Sequence, residues 1–241
     1  MRIFKNLQKY SFFWPIKLLL KRIAGQELWL KKEYQIETVS YGEWEFSPQY
    51  LGDDAIIYSL GVGDSIEFDL KIINHYKVLV FAFDPTPYAM EWIDKQVIPK
   101  ELKFYPWAVS GKDGEFKMTQ RVNHKGHKSE IMWTELLPNE HSEKSITVPS
   151  LTIFSIMKKL SHQKIDLMKV DVEGAEYEII DHLIQYNIKP KQLLIEFHHR
   201  FETKNKIMTQ KAIQDLQQIG YKIFSISETG REIGFIDLID S

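Results

Sequence analysis

The chain has 241 residues, of which 44% are hydrophobic and 27% are charged, the composition of a folded globular protein rather than a disordered or fibrous one. Its 31 basic and 33 acidic residues give a net charge of −2, so we expect no general electrostatic interaction with nucleic acid and no nucleic-acid partner. The absence of cysteine excludes disulfides, thiolate metal sites and a cysteine nucleophile, and it is compatible with the cytoplasmic location that we expect.

The first 26 residues differ from the rest of the chain in charge. They hold six lysines and arginines, no acidic residue and many apolar side chains, whereas the remainder has 25 basic and 33 acidic residues. Their apolar run is broken by Pro15 and Lys17, is too short to span a bilayer and lacks the cleavage site of a signal peptide. Two interpretations stay open: a helix packed on its own domain or on a second subunit, and a segment lying on an anionic membrane surface.

From residue 55 onward, short apolar runs alternate with amphipathic stretches. The apolar runs lie at 55–60, 78–83, 165–170 and 193–197, and the helix-like stretches at 66–75, 86–95, 151–160, 174–186 and 205–219. Nearly continuous apolar runs are typical of strands buried on both faces of a parallel sheet. The final residues predict a hairpin around Gly230. The pattern therefore predicts a doubly wound, Rossmann-like α/β domain over 50–241, preceded by an N-terminal helical extension and lead-in over 1–49.

Ligands of such sheets bind beyond the carboxyl ends of the strands. The first run ends in S-L-G-V-G-D-S, where Gly61 and Gly63 allow a tight turn and the close approach of a ligand, although a purely structural turn is an alternative. Ile66 replaces the third glycine of a dinucleotide fingerprint, which weakens a pyrophosphate site but leaves a nucleoside site open. The second run ends at Asp84, whose carboxylate either accepts the hydroxyls of a ribose or caps the next helix.

Four titratable residues follow the ends of two later strands: Asp171, Glu173, Glu196 and His198. If the first of these strands continues to Glu173, period-2 geometry places Asp171 and Glu173 on one face. Neighbouring strand ends bring the four groups together, which suits general-base catalysis on a hydroxyl and would equally suit a hard divalent cation, although we favour no metal site. The alternative is a hydrogen-bonded network at the strand ends without a catalytic role.

Residues 119–147 are polar, long and weakly periodic, which predicts a long loop of the kind that covers a site or contacts a substrate. His124 and His127 would need further ligands to hold a metal, so a solvated loop is the preferred interpretation. The basic side chains of this loop that suit a phosphate or an acidic sugar are Arg121, Lys125 and Lys128.

Taken together, these motifs resemble the FkbM family of S-adenosylmethionine-dependent methyltransferases, from about residue 38 to the end. The matching segments are Y-G-E-W, Y-S-L-G-V-G-D-S-I-E-F-D, F-A-F-D-P-T-P, D-L-M-K-V-D-V-E-G-A-E-Y and I-E-F-H-H-R-F, of which K-V-D-V-E-G-A-E is the most specific. The resemblance implies a class I methyltransferase fold, with a seven-stranded, mostly parallel sheet and one antiparallel strand. It also implies methyl transfer from S-adenosylmethionine, typically to a hydroxyl of a sugar or secondary metabolite.

The resemblance also implies roles for individual residues. The positions matching the family's cofactor site are Leu60, Gly61 and Gly63 at the methionine turn, Asp84 at the ribose, and Trp107, Ala108 and Val109 beside the adenine. The matching acidic strand ends are Asp171, Glu173 and Glu196. Ser59 departs from the family, because many members have there an acid that holds the methionine amino group; Asp64 or Glu67 could replace that acid.

The sequence therefore predicts an S-adenosylmethionine-dependent methyltransferase acting on a hydroxyl of a small-molecule or saccharide acceptor. Asp171 is the expected base or orienting group, and His198 is its rival. One alternative is a non-catalytic membrane-associated or assembly protein on a degenerate methyltransferase fold, which Ser59 keeps open. Another is a nucleotide-dependent oxidoreductase, which Ile66 disfavours. If residues 1–26 touch a membrane, we expect a peripheral contact at its inner face.

Overall fold

A computed structural model of the protein describes residues 14–122, 128–136, 145–201 and 204–238. The helices are α1 (Trp14–Ile23), α2 (Glu67–Tyr76), α3 (Pro87–Ile93), α4 (Ile153–Leu160), α5 (Glu176–Gln185) and α6 (Lys206–Gln218), with a single 3-10 turn at Pro48–Tyr50. The strands are β1 (Val39–Tyr41), β2 (Trp44–Phe46), β3 (Ile56–Leu60), β4 (Leu79–Phe83), β5 (Leu102–Tyr105), β6 (Ala108–Val109), β7 (Gly114–Val122), β8 (Lys128–Glu135), β9 (Ser145–Leu151), β10 (Leu167–Val170), β11 (Gln192–Glu196), β12 (Tyr221–Ile226) and β13 (Glu232–Asp237).

The main sheet has seven strands in the order β12-β13-β11-β10-β3-β4-β5. Strands β3, β4, β5, β10 and β11 pair in parallel, and β13 runs antiparallel to both of its neighbours. Leu60 is in register with both Phe83 and Val170, so the carboxyl ends of the three central strands meet at one edge. This order and these directions confirm the predicted Rossmann-like class I methyltransferase fold.

Both faces of this sheet are buried, and alternate residues of each strand enter two different apolar clusters. Tyr58 and Leu60 pack with the cluster formed with α4, α5 and α6, whereas Ile57 packs with the cluster formed with α2, α3 and the β1–β2 hairpin. Because both side-chain rows of each strand are covered, the strands have nearly continuous apolar sequences. Each predicted apolar run and helix lies within two residues of an observed element, and the predicted hairpin turns at Gly230 (φ +77°).

The prediction of a long loop over 119–147 is wrong for most of that stretch. Strands β7, β8 and β9 form a second sheet with β6, in the order β6-β9-β7-β8, which we call the inserted sheet. One side of this sheet is apolar, and its buried members are Ala108, Met118, Trp133 and Val148. Its other side is polar, so the stretch has the alternating composition of a half-covered sheet. His124, Lys125 and His127 lie outside the described residues.

The lead-in before residue 50 is tied to the main sheet. Tyr41, Trp44 and Phe46 are buried in the second apolar cluster, and Gln192 of β11 exchanges two hydrogen bonds with the Ser47 backbone, at 2.7 and 2.9 Å. The boundary between 49 and 50 stays a prediction. Among the described helices, none is both long and apolar enough to cross a bilayer.

Candidate functional site

A cavity of about 320 Å³ opens at the carboxyl edge of β3, β4 and β10 and is bordered by the β1–β2 hairpin and the inserted sheet. Nine of the predicted site residues line it: Gly61, Gly63, Asp64, Asp84, Trp107, Ala108, Val109, Asp171 and Glu173. The other four do not line it: Ser59, Leu60, Glu196 and His198. The cavity therefore brings the predicted cofactor turn and two of the predicted catalytic carboxylates into one space.

Gly61 is required by the close approach of two strand ends. Its φ is +86°, and a Cβ at this position would lie 1.8 Å from the backbone oxygen of Asp171. The Asp171 N–H donates to the Leu60 carbonyl at 2.9 Å, which fixes the end of β10 against the end of β3. The glycine turn and Asp171 therefore form one rigid unit at the cavity wall.

Asp84 is held by four hydrogen bonds from its own chain. Its Oδ2 accepts the N–H groups of Val62 and Gly63, each at 2.9 Å, and its Oδ1 accepts the backbone N–H and the hydroxyl of Thr86, at 2.9 and 2.6 Å. A carboxylate offers about four acceptor sites, so Asp84 is fully occupied. It clamps the glycine turn to the start of α3, and a ribose would have to replace at least one of these hydrogen bonds.

A buried acid that the sequence analysis missed lies beside Ser59. Asp69 of α2 lines the cavity and is only 2% exposed, and neither its Oδ1 nor the Ser59 hydroxyl makes a hydrogen bond within the described part of the chain. Burial raises the pKa of the Asp69 carboxyl, and the charge of Lys169 opposes that rise. Lys169 also lines the cavity, donating to the Gly61 carbonyl at 3.0 Å and lying 5.0 Å from the Trp44 ring.

Two exposed acids had been considered as replacements for the acid missing at Ser59. Asp64 and Glu67 both line the rim of the cavity, and the Glu67 carboxylate pairs with Lys71 at 2.6 Å. Asp69 differs from both because it is buried and its Oδ1 accepts no hydrogen bond among the described residues. Asp69 is the last residue of the motif Y-S-L-G-V-G-D-S-I-E-F-D, but its burial depends on the packing of α2 and is not evident from the sequence.

Trp107 and the two residues after it also line the cavity. The Trp107 ring lies 4.6 Å from the Tyr105 ring and stacks on Phe83 at 6.1 Å between centroids. Ala108 and Val109 are buried in strand β6, which pairs with β9 of the inserted sheet. An apolar, aromatic wall next to a glycine turn suits a flat heteroaromatic ring.

His198 lies at the centre of the acidic cluster, which consists of Asp171, Glu173, Glu176 and Glu196. Its Nε2 is 3.8 Å from Asp171, 3.7 Å from Glu173 and 3.8 Å from Glu196, and its Nδ1 is 3.5 Å from Glu176. Asp171, Glu173, Glu196 and His198 thus converge, as the sequence predicts. Glu176 is fully buried and structural, since it accepts the backbone N–H groups of Gly174 and His198 at 2.9 and 2.8 Å.

The expected reason for this convergence is partly wrong. Strand β10 ends at Val170 instead of continuing to Glu173, and Glu173 adopts a left-handed conformation with φ +50° before Gly174. Thr134 of β8 donates to the Glu173 carbonyl at 3.1 Å, and Arg121 of β7 pairs with its carboxylate at 3.3 Å. The inserted sheet, rather than strand alternation, therefore holds Glu173 at the cavity.

The charges of the acidic cluster change the proton affinity of its members. Burial alone would lower the pKa of His198, but the hydrogen bond and charge of Glu176, with the charges of Glu173 and Glu196, raise it to about 9. Burial and the charge of Asp171 raise the pKa of Glu196 to about 7, against the charges of His198 and Arg231. Burial also raises the pKa of Glu173. His198 is therefore an imidazolium at neutral pH, which makes it a poor base.

Within the described residues, Asp171, Glu196 and His198 each offer a possible metal-ligand atom, and these atoms lie within 4.8 Å of one another. Glu196 is also paired with Arg231 at 2.7 Å, so a guanidinium already neutralises one of the three groups. His199 takes no part in the cluster, because its ring contacts Glu27 at 3.1 Å. The absence of a metal site stays a prediction.

Several cavity residues had not been predicted as site residues. Besides Asp69 and Lys169, they include Tyr41 and Trp44 from Y-G-E-W and four side chains of the inserted sheet, Phe116, Met118, Met132 and Trp133. Y-G-E-W had been noted as a motif, and alternation in F-K-M and I-T-V was the available signal for the inserted sheet. The apolar side of that sheet contributes to the cavity wall.

Comparison with known proteins agrees with this architecture. The sequence model of the Methyltransferase FkbM domain matches residues 31–223. The chain is 26% identical over 145 residues to the probable methyltransferase-like protein 24 of Rattus norvegicus, a match that covers 59% of this chain and 32% of that protein. The chain thus spans about a third of the length of this curated relative.

Two solved structures resemble the chain in fold. The fibrillarin pre-rRNA processing protein of Methanococcus jannaschii is 13% identical, with 87% of this chain and 85% of that chain covered and a TM-score of 0.44. The precorrin-6y C5,15-methyltransferase of Geobacter metallireducens GS-15 is 13% identical, with 78% and 83% covered and a TM-score of 0.40. The fold assignment itself rests on the strand order and directions given above. Because the matched domain covers most of the chain, the protein belongs to the FkbM methyltransferase family.

Proposed function

We propose that the protein transfers a methyl group from S-adenosylmethionine to a hydroxyl of a saccharide or hydroxylated metabolite. The observation that carries this proposal is the layout of the cavity. Its wall includes a buried, incompletely paired carboxylate, Asp69, beside the glycine turn, which we call the cofactor end. It also includes Asp171 and Glu173, which follow the strand packed against that turn and which we call the acceptor end. The expected cytoplasmic location is part of the proposal and rests on the composition.

The residues present fit the amino-acid end of this cofactor. That end carries an ammonium and a carboxylate, and the Asp69 carboxyl and the Lys169 side chain both line the cavity. A buried carboxylate with a free acceptor atom is unfavourable unless a donor reaches it, and an ammonium is a strong donor. Asp69 would therefore take the role that an acid at Ser59 has in many members of the family.

The remaining cofactor groups fit less completely. Trp107, Ala108 and Val109 provide the apolar surface for the adenine, and the ribose would compete with the internal hydrogen bonds of Asp84. When bound, S-adenosylmethionine supplies a methyl group on a sulfonium, which is activated for displacement by a nucleophile. Gly61 and Gly63 would let their backbone approach that group closely.

At the acceptor end, Asp171 is the group that would receive the proton of the attacking hydroxyl. Its backbone is fixed against Leu60, and its carboxylate is 31% exposed at the cavity. His198 is buried and protonated, so its role is to keep the surrounding carboxylates in place instead of accepting a proton. A positioned base of this kind contributes about 10²–10⁴-fold to the rate, and orientation supplies much of the rest.

The first experiment measures binding by calorimetry with two ligands. S-adenosylhomocysteine has the amino-acid end, whereas 5′-methylthioadenosine lacks it. We expect Asp69→Asn to weaken binding of S-adenosylhomocysteine by about 10- to 100-fold, the effect of losing one charge-assisted hydrogen bond, and to leave binding of 5′-methylthioadenosine unchanged. Asp94→Asn, an exposed aspartate at the end of α3, is the matched control.

Failure of the wild type to bind either ligand would contradict the cofactor assignment. If Asp69→Asn lowers the affinity for both ligands equally, only the proposed role of Asp69 is contradicted, and the cofactor assignment is not. Once S-adenosylhomocysteine release over a panel of hydroxylated acceptors identifies a substrate, we expect Asp171→Asn to lower kcat by about 10²–10⁴-fold with unchanged affinity for S-adenosylhomocysteine. Unchanged turnover would exclude Asp171 as the base.

A further inference from the structure

Helix α1 exposes its apolar side chains to solvent instead of burying them. Ile16, Leu19, Leu20 and Ile23 follow the i, i+3, i+4, i+7 spacing of one helix face, and they are 52%, 47%, 61% and 69% exposed. We call these four side chains the outer stripe. Trp29, shortly after the helix, is 64% exposed. An amphipathic helix normally turns such a stripe towards its own core, so the outer stripe needs another apolar environment.

Positive charges flank the outer stripe on both sides. At 100° per residue, Lys17 and Arg22 lie on opposite flanks, each roughly 110° from the centre of the stripe, whereas Lys21 lies roughly 150° away, on the inner side with Leu18. Neither lysine forms an ion pair with a carboxylate among the described residues. Burial and the charge of Arg200 lower the pKa of Lys21, and Glu27 opposes them. The flanks therefore lack full compensation by the protein's own acids.

The inner side of α1 is fixed to the methyltransferase domain. Leu18 is its buried residue and packs on Gly230, where a Cβ would lie 2.8 Å from Leu18 Cδ1. Just after the helix, buried Glu27 contacts His199 and pairs with Arg200 in the segment that follows β11. The helix is thus held with its outer stripe facing away from the domain.

We propose that α1 binds the surface of an anionic lipid bilayer, with the outer stripe in the headgroup–acyl boundary and the flanking cations among the headgroups. The charge pattern selects this partner over a second protein surface, because residues 1–26 hold six basic residues and no acid. Apolar insertion flanked by lysine and arginine is the arrangement of helices that lie in the membrane interface. The proposal is independent of the cofactor assignment.

This contact would place the membrane next to the carboxyl edge of the main sheet. Strand β12 runs parallel to β11, so the β12–β13 turn that holds Leu18 lies at the same edge as the strand ends bordering the cavity. Arg231, adjacent to Gly230, pairs with Glu196 of the acidic cluster. The bilayer-binding helix and the acceptor end of the site are therefore connected through one turn.

The test is co-sedimentation of the full chain with vesicles of phosphatidylcholine, alone or mixed with phosphatidylglycerol. Leu20→Ser/Ile23→Ser removes two side chains of the outer stripe without changing charge. Val97→Ser/Ile207→Ser is the matched control, because those aliphatic side chains are 98% and 75% exposed elsewhere on the surface. Lys17→Gln/Arg22→Gln tests the flanking charges, and the thermal unfolding midpoint of each variant checks that the domain is folded.

We expect wild type to bind the anionic vesicles, more weakly at high salt, and Leu20→Ser/Ile23→Ser to bind at least about tenfold more weakly while the control binds like wild type. Lys17→Gln/Arg22→Gln should lose most of the preference for anionic over neutral vesicles. Absence of vesicle binding by wild type overturns the proposal. So does equal binding by the stripe variant and its control. If wild type forms a dimer and does not bind vesicles, and if Leu20→Ser/Ile23→Ser dissociates that dimer, the outer stripe is a contact between two copies of the chain.

Discussion

The two ends of the cavity are built by different forces. At the cofactor end, Asp84 accepts four hydrogen bonds of 2.6–2.9 Å and fixes the glycine turn. At the acceptor end, the ring nitrogens of His198 lie 3.5–3.8 Å from four carboxylates, distances at which charge attracts but hydrogen bonds are long or absent. One end is held by directional contacts and the other by balance of charge.

Because of this difference, the geometry of the two ends depends on different conditions. Hydrogen bonds between a carboxylate and backbone N–H groups persist over the pH range in which the carboxylate is ionised. The acidic cluster depends on the protonation of His198 and of Glu196, whose pKa values are raised to about 9 and about 7. The cofactor end should therefore respond to substitutions at its backbone contacts, and the acceptor end to pH.

The largest effect is expected from Gly61→Ala. The new Cβ would meet the Asp171 backbone oxygen, which cannot move without separating β3 from β10, so we expect a loss of more than about 3 kcal/mol in the free energy of unfolding. Gly42→Ala is the control, because Gly42 also has a positive φ but nothing within 4 Å of its Cβ, and it should lose only about 1 kcal/mol. Urea denaturation measures the free energy of unfolding of both variants. Similar losses would show that the positive φ, and not the contact with Asp171, determines the cost of the added Cβ.

A smaller effect is expected from His198→Gln, and it should depend on pH. Because the folded-state pKa is raised from about 6.5 to about 9, the stabilisation by the imidazolium is complete below pH 6.5 and is lost as pH rises through 9. We expect roughly 2–3 kcal/mol less stability for the variant at pH 6 and little difference from wild type at pH 10. A constant difference across this range would mean that His198 acts by packing instead of charge.

Asp84→Asn should weaken the cofactor end before any ligand binds. An amide cannot accept all four hydrogen bonds, which leaves one or more buried donors at Val62, Gly63 or Thr86 without a partner, and we expect a loss of about 2 kcal/mol. Thermal unfolding without ligand measures this loss, with Asp94→Asn for comparison. If unliganded stability is unchanged and only ligand affinity falls, Asp84 is a ribose ligand and not a clamp.

The smallest effect is expected from Arg121→Gln. The guanidinium pairs with Glu173 at 3.3 Å and lies 3.9 Å from the Phe201 ring centroid, but its side chain is 37% exposed, so the free energy of unfolding should fall by less than about 1 kcal/mol. Chemical denaturation at neutral pH checks this. A loss well above 1 kcal/mol would show that the acceptor end depends on this directional contact rather than on its total charge.

Much of the main sheet was predictable from sequence because its strands are buried on both faces. Runs such as V-L-V-F-A-F have no alternation to misinterpret, and turn residues follow two of them, Gly61 after the first run and Pro85 after the second. The inserted sheet was not predicted, because a half-covered strand such as β7 mixes lysine and glutamine with Phe116 and Met118. Its alternation of polar and apolar residues is so weak that, without knowledge of its partner strands, the sequence cannot be told from that of a polar loop.

Some residues of the candidate site were also predictable from the sequence, and others were not. Strand ends identified Asp171 and Glu196, since topology places neighbouring ends side by side. Asp69 ends the motif Y-S-L-G-V-G-D-S-I-E-F-D, but the motif alone does not identify it as a site residue, because its burial arises from the packing of α2 beside Ser59. His198 was predicted as a rival base, and only the number of surrounding carboxylates shows that it holds its proton.

The pairing of β6 with β9 joins two walls of the cavity. Ala108 and Val109, beside the expected adenine wall, are in register with Ser150 and Leu151, and β9 pairs in turn with β7, which carries Phe116 and Met118. The two walls are thus one continuous hydrogen-bonded sheet. We expect a molecule that displaces β7 also to strain the wall beside Trp107, because the hydrogen bonds of β9 connect the two.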